Sequence, residues 1–299
     1  MVAPVPPILD PHVHLLDPAR FGYPWIPAGS ELDALVAPGD YLTSARPGTR
    51  AIVVEAGAAV GQAQAEAEAA RDAAASHEWI RGFVAALHPD ADVAEQDQLD
   101  RLGGIGSLLV GLRVDLTKSR VRAALGRRGH RLGAGLSSGR GRPLPIDLLL
   151  PSDDPGVAVP VCAANPGAVF VVDHLASPPG LAPAGVAPGA LGPAALDAEE
   201  AWRAALRRLA ALPNTVLKVS GPTARLAAGG EVERDRLRAS LDAFGPARLL
   251  FASDFPVSIT VAGDVTVADW AERVRAGLTL SPSELAAVCA GNAERVYLS

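Results

Sequence analysis

The chain has 299 residues, 49% hydrophobic and 20% charged, with a net charge of −6. That much apolar matter excludes a disordered chain. The negative balance disfavours a nucleic-acid partner, because no net positive field draws phosphates. No run reaches the ~18 uninterrupted apolar residues of a membrane span.

Short apolar runs recur along the chain and read as strands buried on both faces, unbroken instead of alternating. In order they are Ile8–Val13, Arg50–Glu55, Ile80–Leu87, Ser107–Val114, Leu144–Leu150, Val169–Asp173, Thr215–Val219 and Arg248–Phe251. Helical patterns lie between and after them: Gln62–Ser76, Ala91–Leu102, Ser119–Leu125, Leu196–Leu212, Glu231–Phe244, Thr266–Ala276 and Pro282–Cys289. Asp197 is the expected cap of the fourth helix. Ser281, Pro282 and Glu284 spell a capping box with a proline start. Two stretches carry long loops: Lys118–Arg142, basic and glycine-rich, reads as the short helix Ser119–Leu125 and then an exposed loop, and Ser177–Pro193 is the second. Both follow strands, so both are expected over the catalytic face. Eight strands alternating with helices in 299 residues predict one (β/α)₈ TIM barrel spanning residues 1–299.

His12 and His14 sit in Asp10-Pro11-His12-Val13-His14 at the end of the first strand. An i, i+2 pair on a strand turns both imidazoles to one face, which suits metal ligation or substrate donors. His174 ends the sixth strand, and Asp254 follows the eighth. First and eighth strands become neighbours when a barrel closes, so closure brings Asp254 beside the His12/His14 pair. Burial would raise the Asp254 pKa and cationic neighbours would lower it. Arg113, at the end of strand four, needs an anionic or carbonyl-bearing partner. Lys218 in strand seven reads either as a substrate contact or as half of an internal ion pair. Glu55 and His88 end strands two and three, and Tyr23, Trp25 and Ile26 are expected to wall an apolar edge of the pocket. Nucleotide-binding glycine motifs, HExxH and GxSxG are absent. Cys162 and Cys289, the two cysteines, can form neither a disulfide framework nor a thiolate metal cluster.

Several segments together resemble the amidohydrolase-related family, and within it the lactonase-like branch. They are ILDPHVHLLDP with YPWI behind it, VGLR, VVDHLASPP, VLKVSG, FGPARLLFASDFPV and GNAERVYL. The resemblance implies a TIM-barrel hydrolase in which Asp254 takes a proton from water, and His12, His14 and His174 polarise a carbonyl directly or through one divalent ion, Zn or Mn. These four residues are the implied metal ligands if the enzyme is not metal-independent. Arg113 matches the family's substrate-orienting arginine. Many members carry a carboxylated lysine or a histidine at the end of strand five, and Leu144–Leu150 holds neither.

The expected reaction is hydrolysis of a sugar-acid or dicarboxylate lactone, with Arg113, Lys218 and Trp25 holding an anionic or polyhydroxylated substrate. The alternatives are a metal-dependent decarboxylase or amidohydrolase on the same barrel, and a catalytically silent barrel serving as a structural or binding subunit. MVAPVPPILD has neither a basic n-region nor an apolar h-region, so the expected location is cytoplasmic, with no membrane partner. A homodimer is the commonest assembly for such an enzyme.

Overall fold

The computed structural model describes residues 5–132, 136, 143–180, 193–221, 230–261 and 265–299. Eight strands form one sheet in chain order: β1 (Leu9–Val13), β2 (Arg50–Val54), β3 (Ile80–Ala86), β4 (Leu109–Asp115), β5 (Ile146–Leu149), β6 (Phe170–Val172), β7 (Thr215–Val219) and β8 (Leu249–Phe251). All seven pairings are parallel. The sheet closes through a parallel bridge between Val13 and Phe255, where the His14 amide donates to the Phe255 carbonyl at 2.7 Å and the Asp254 amide to the His12 carbonyl at 2.9 Å. This is the predicted TIM barrel, with strand ends within about two residues of their expected places.

Ten helices are described: α1 (Pro38–Ser44), α2 (Ala63–Ser76), α3 (Glu95–Arg101), α4 (Ser119–Arg127), α5 (Ala158–Ala164), α6 (Pro193–Ala210), α7 (Glu231–Phe244), α8 (Val257–Val261), α9 (Val267–Gly277) and α10 (Pro282–Ala286). The short α1, α5 and α8 have no counterpart among the predicted elements, because five to seven residues carry too few turns for a helical period to show. Asp197 is no cap. Pro193, with φ already fixed for a first helical turn, starts α6 four residues earlier and leaves Asp197 inside it. The Ser281 capping box is present, its hydroxyl accepting the Glu284 amide. The loop after α4 is less exposed than its glycines suggested: Leu132 and Leu136 are buried, and the Leu144 amide donates to the Leu136 carbonyl at 2.8 Å. Most of its Gly-Arg stretch (133–135 and 137–142), and 181–192 of the second long loop, lie outside the described residues.

Two apolar layers hold the barrel. Strand residues such as Phe83, Leu112 and Phe170 pack outward against helices, including the buried Trp202 of α6 and Trp270 of α9. Inside, Leu9, Ile52, Val84, Val110, Val171 and Leu250 meet Ala293, Val296 and Tyr297 of the C-terminal segment. The C-terminal residues thus plug the end of the barrel opposite the catalytic loops. Among the described residues no helix is long and apolar enough to cross a membrane.

Candidate active site

Closure brings a carboxylate from one end of the chain against imidazoles from the other. Asp254 Oδ1 lies 3.5 Å from Nε2 of His12, 3.5 Å from Nε2 of His14 and 3.9 Å from Nε2 of His174. The two strand-one imidazoles share a face, as their spacing predicts, with Nε2 atoms 3.0 Å apart. The His14 Nδ1–H donates to the Val54 carbonyl at 3.0 Å, and His174 Nδ1 is 3.0 Å from Ser220 Oγ. Ser258 donates its hydroxyl to Asp254 Oδ2.

Unusual backbone aims these groups. Asp254 has φ +56°, and His174, Leu175, Ala176 and Ser177 run consecutively at φ +50° to +59°. Non-glycine residues pay for the left-handed region, and such strain persists where surroundings enforce it. Here Trp202 Nε1–H donates to the Leu175 carbonyl at 2.7 Å, Ser177 Oγ–H to the Leu150 carbonyl at 2.8 Å, and Trp270 Nε1–H to the Ala252 carbonyl at 2.8 Å. Gly221, at φ +83°, passes so close to His174 that a Cβ there would sit 2.9 Å from the histidine Cβ.

Beneath the imidazoles lies a buried charged cluster. Lys218 pairs with Asp147, lies 3.1 Å from Asp173 Oδ1, and donates to His12 Nδ1 at 3.1 Å. Tyr297 donates its hydroxyl to Asp147 Oδ1 at 2.6 Å. Arg113 donates to Asp173 Oδ2 at 3.0 Å and to Glu55 Oε1 at 3.1 Å. Lys218 is wholly buried and does not line the cavity. Of its two sequence readings, the internal ion pair is the one formed.

Electrostatics follow from these neighbours. Burial, the largest single influence, pushes Asp254 up, but the imidazoles of His174, His14 and His12 together outweigh it and its pKa is lowered. Burial lowers His174, and burial with the Lys218 ammonium takes His12 well below its usual value. Asp173 resists burial through Lys218, His12 and Arg113 and is held well below the carboxylate range. Asp147 is pushed by burial to about 6 against the pull of Lys218. The site therefore holds an ionised carboxylate, with burial pushing His12 and His174 toward their neutral forms.

Above it opens a cavity of about 740 Å³, lined among others by His14, Trp25, Glu55, His88, Arg113, His174 and Asp254. Trp25 stands half-exposed at its rim, its Nε1–H held by the Ala56 carbonyl at 2.6 Å. Tyr23 instead packs in a side cluster with Leu16, Phe21 and Leu32. Sequence reasoning passed over Asp147, Ser220, Ser258 and Tyr297, and saw Asp173 only as a neighbour of His174. A signal for one was there: Asp147 interrupts an apolar strand, and the equally buried Lys218 is its natural partner.

The donor set of His12, His174 and Asp254, with His14 beside it, suits a divalent ion. A tetrahedral zinc with ligands at ~2.0–2.1 Å needs donors about 3.3 Å apart; Asp254 Oδ1 lies 3.5 to 3.9 Å from the three Nε2 atoms, and those of His12 and His14 are 3.0 Å apart. His12, His174 and Asp254 place donor atoms within 4.8 Å of one another.

Known proteins agree with this architecture. The amidohydrolase family model matches residues 9–298. An L-fucono-1,5-lactonase from Burkholderia multivorans is 38% identical over 143 residues, which is 46% of this chain and 45% of that protein. The matched region thus spans about half the length of that curated relative. A crystal structure of an amidohydrolase from Burkholderia multivorans with bound zinc superposes with a TM-score of 0.74 at 28% identity, covering 98% of this chain and 99% of the other. A 5-carboxyvanillate decarboxylase from Sphingomonas paucimobilis shares the fold, with a TM-score of 0.59 at 13% identity over 97% of this chain and 98% of its own.

Proposed function

The chain belongs to the amidohydrolase family, and from that premise we propose that it hydrolyses a lactone of the uncharged, polyhydroxylated sugar-acid kind. The observation that carries this reading is the Asp254 carboxylate, ringed by three imidazoles at 3.5 to 3.9 Å on the floor of the cavity.

A carboxylate in that position is a general base for water. Asp254 accepts one proton as the water oxygen attacks the lactone carbonyl carbon, and the carbonyl oxygen gathers negative charge. A donor fixed beside that oxygen stabilises the charge, which is where prearranged groups lower a barrier most, and His174, on the cavity wall, is the imidazole whose Nε2 is left for that role. The tetrahedral intermediate expels the ring oxygen, and Asp254 returns its proton there. One water is consumed and one hydroxy acid leaves. With an ion held by His12, His14, His174 and Asp254, the added chemistry would be Lewis-acid polarisation of the carbonyl.

The charges around the cavity favour a neutral substrate. Each lining cation already has a carboxylate: Arg113 has Glu55 and Asp173, Lys118 has Asp115 at 3.1 Å, and Arg120 has Asp90 at 2.6 Å. Among the described residues no lining cation is left over for a dicarboxylate. Hydroxyl groups suit a wall of mixed donors and acceptors, and Trp25 supplies an apolar face of the kind that sugar rings pack on. A silent barrel has no use for a left-handed aspartate facing a left-handed histidine.

The test is a panel of sugar-acid δ-lactones, δ-valerolactone and a pyrone dicarboxylate, followed by proton release at constant pH. Fastest turnover of the hydroxylated neutral lactones is expected. Preference for the dicarboxylate would reverse the charge argument. Carbon dioxide release from a conjugated acid, with no lactone opened, would replace hydrolysis by decarboxylation.

A further inference from the structure

The hydrogen bonds around the paired histidines fix where their protons sit. An ammonium can only donate, and the Lys218 ammonium is hydrogen-bonded to His12 Nδ1 at 3.1 Å, so that nitrogen presents a lone pair. Neutral His12 then carries its proton on Nε2. A carbonyl can only accept, and the Val54 carbonyl lies 3.0 Å from His14 Nδ1, so His14 carries its proton there and presents a lone pair on Nε2. The two Nε2 atoms, 3.0 Å apart, are thus one donor and one acceptor. Lys218 donates to His12, His12 to His14, and His14 to the β2 backbone, each bond consistent with the next.

A metal ion needs the lone pair of every imidazole nitrogen it binds. His14 offers one at Nε2. His12 does not while Lys218 occupies its far side. The alternative acceptor for its proton is already in place: Asp173 Oδ1 is buried and lies 3.4 Å from His12 Nδ1, slightly farther than the Lys218 ammonium at 3.1 Å. Lys218 is 3.1 Å from that oxygen but not aligned with it. Lys218 and Asp173 thus compete for one ring nitrogen, and each partner suits a different tautomer of His12.

We propose that Lys218 holds His12 in the tautomer that opposes metal binding, and that a divalent ion such as Zn²⁺ enters only as the His12 proton passes from Nε2 to Nδ1 and is donated to Asp173. No charge is lost in the exchange. Lys218 gives up one hydrogen bond and keeps both carboxylates. Lys218 is then a positioning residue, and it sets how readily the site takes metal whatever the substrate.

The test begins with metal-free protein carrying ¹⁵N-labelled histidine. Nitrogen spectra should show His12 protonated on Nε2 and unprotonated on Nδ1, and zinc should reverse the two. A metal-free His12 already protonated on Nδ1 would overturn the proposal. Zinc affinity, measured by competition with a chromophoric chelator, gives an independent reading. Removing Lys218 alone strands a buried Asp147 charge, so the variant is Lys218→Met with Asp147→Asn, which removes one charge of each sign. Its affinity should be tenfold or more tighter than wild type, and equal or weaker affinity would overturn the proposal. Should the double variant not fold, the wild-type spectra decide alone.

Discussion

The carboxylate of Asp10, in β1, accepts the backbone amide of Ser253, just past β8, at 3.0 Å. The same oxygen accepts the His12 amide at 3.2 Å, and its twin accepts the Tyr41 hydroxyl at 3.0 Å. One buried side chain therefore ties the first strand, the last strand and α1 together, directly beneath the paired histidines. Asp10→Ala leaves three buried donors without an acceptor. A group stranded in this way costs ~1–3 kcal/mol, so a loss of about 2–4 kcal/mol is expected, read from urea unfolding. A change under about 0.5 kcal/mol, the scale of ordinary surface substitutions, would show that the barrel closes without this link.

Asp254 is expected to be the base. Asparagine has nearly the same shape and cannot take a proton from water. Asp254→Asn should lower kcat by about 10²–10⁴-fold, the range that general base catalysis contributes, with the thermal midpoint close to wild type. Wild-type turnover of the preferred lactone by this variant would remove Asp254 from the mechanism.

Much of this was legible in the chain, for physical reasons. Buried parallel strands write themselves as unbroken apolar runs, so all eight were found, and closure then placed Asp254 against His12 and His14 across 240 positions of sequence. Other features left no local mark. The left-handed run His174–Ser177 depends on Trp202, from α6, holding the run's own Leu175 carbonyl and on Ser177 donating to the Leu150 carbonyl past β5. Tyr297 reaches Asp147 only because the C-terminal segment plugs the barrel. Lys218 was ambiguous because a buried lysine and a substrate-binding lysine look alike until the partner on β5 is seen. The direction of the Asp254 pKa was open for the same reason: burial and imidazole neighbours pull opposite ways, and only the distances say which prevails.

Gly221 supports the site through space that must stay empty. It holds φ +83°, and an added Cβ would lie 2.9 Å from His174 Cβ and 3.1 Å from its ring. His174 cannot yield easily, since Ser220 and the left-handed turn fix it. Gly221→Ala should push the imidazole off its line toward Asp254. Displacements near 1 Å can cost ~10²-fold in rate, so kcat should fall at least about tenfold, a larger effect than the shift in KM. An unchanged kcat would mean that His174 is not needed where it stands.

Glu66 makes stability depend on pH from behind the cavity wall. Its side chain is buried and accepts the Ala56 amide at 2.8 Å. Burial first, then the charge of Glu55, raises its pKa from 4.5 to about 8. The folded protein keeps this proton across a range where the unfolded chain has lost it. Between pH 4.5 and about 8 the folded state binds more protons, so this group's contribution to stability falls as pH rises and stays low above that range. The lowered histidines act oppositely: His12 and His174 contribute fully above their ordinary value of 6.5 and lose that contribution as pH falls below it. Replacing Glu66 separates the two effects. Glu66→Gln keeps an acceptor for the Ala56 amide and cannot ionise. Its stability relative to wild type should therefore climb from pH 5 to pH 8, by at most about 1.4 kcal/mol per pH unit, and then level off. Urea unfolding of both proteins at pH 5, 7 and 9 measures the difference. A difference that stays constant across the three would show that Glu66 ionises as an ordinary surface glutamate does.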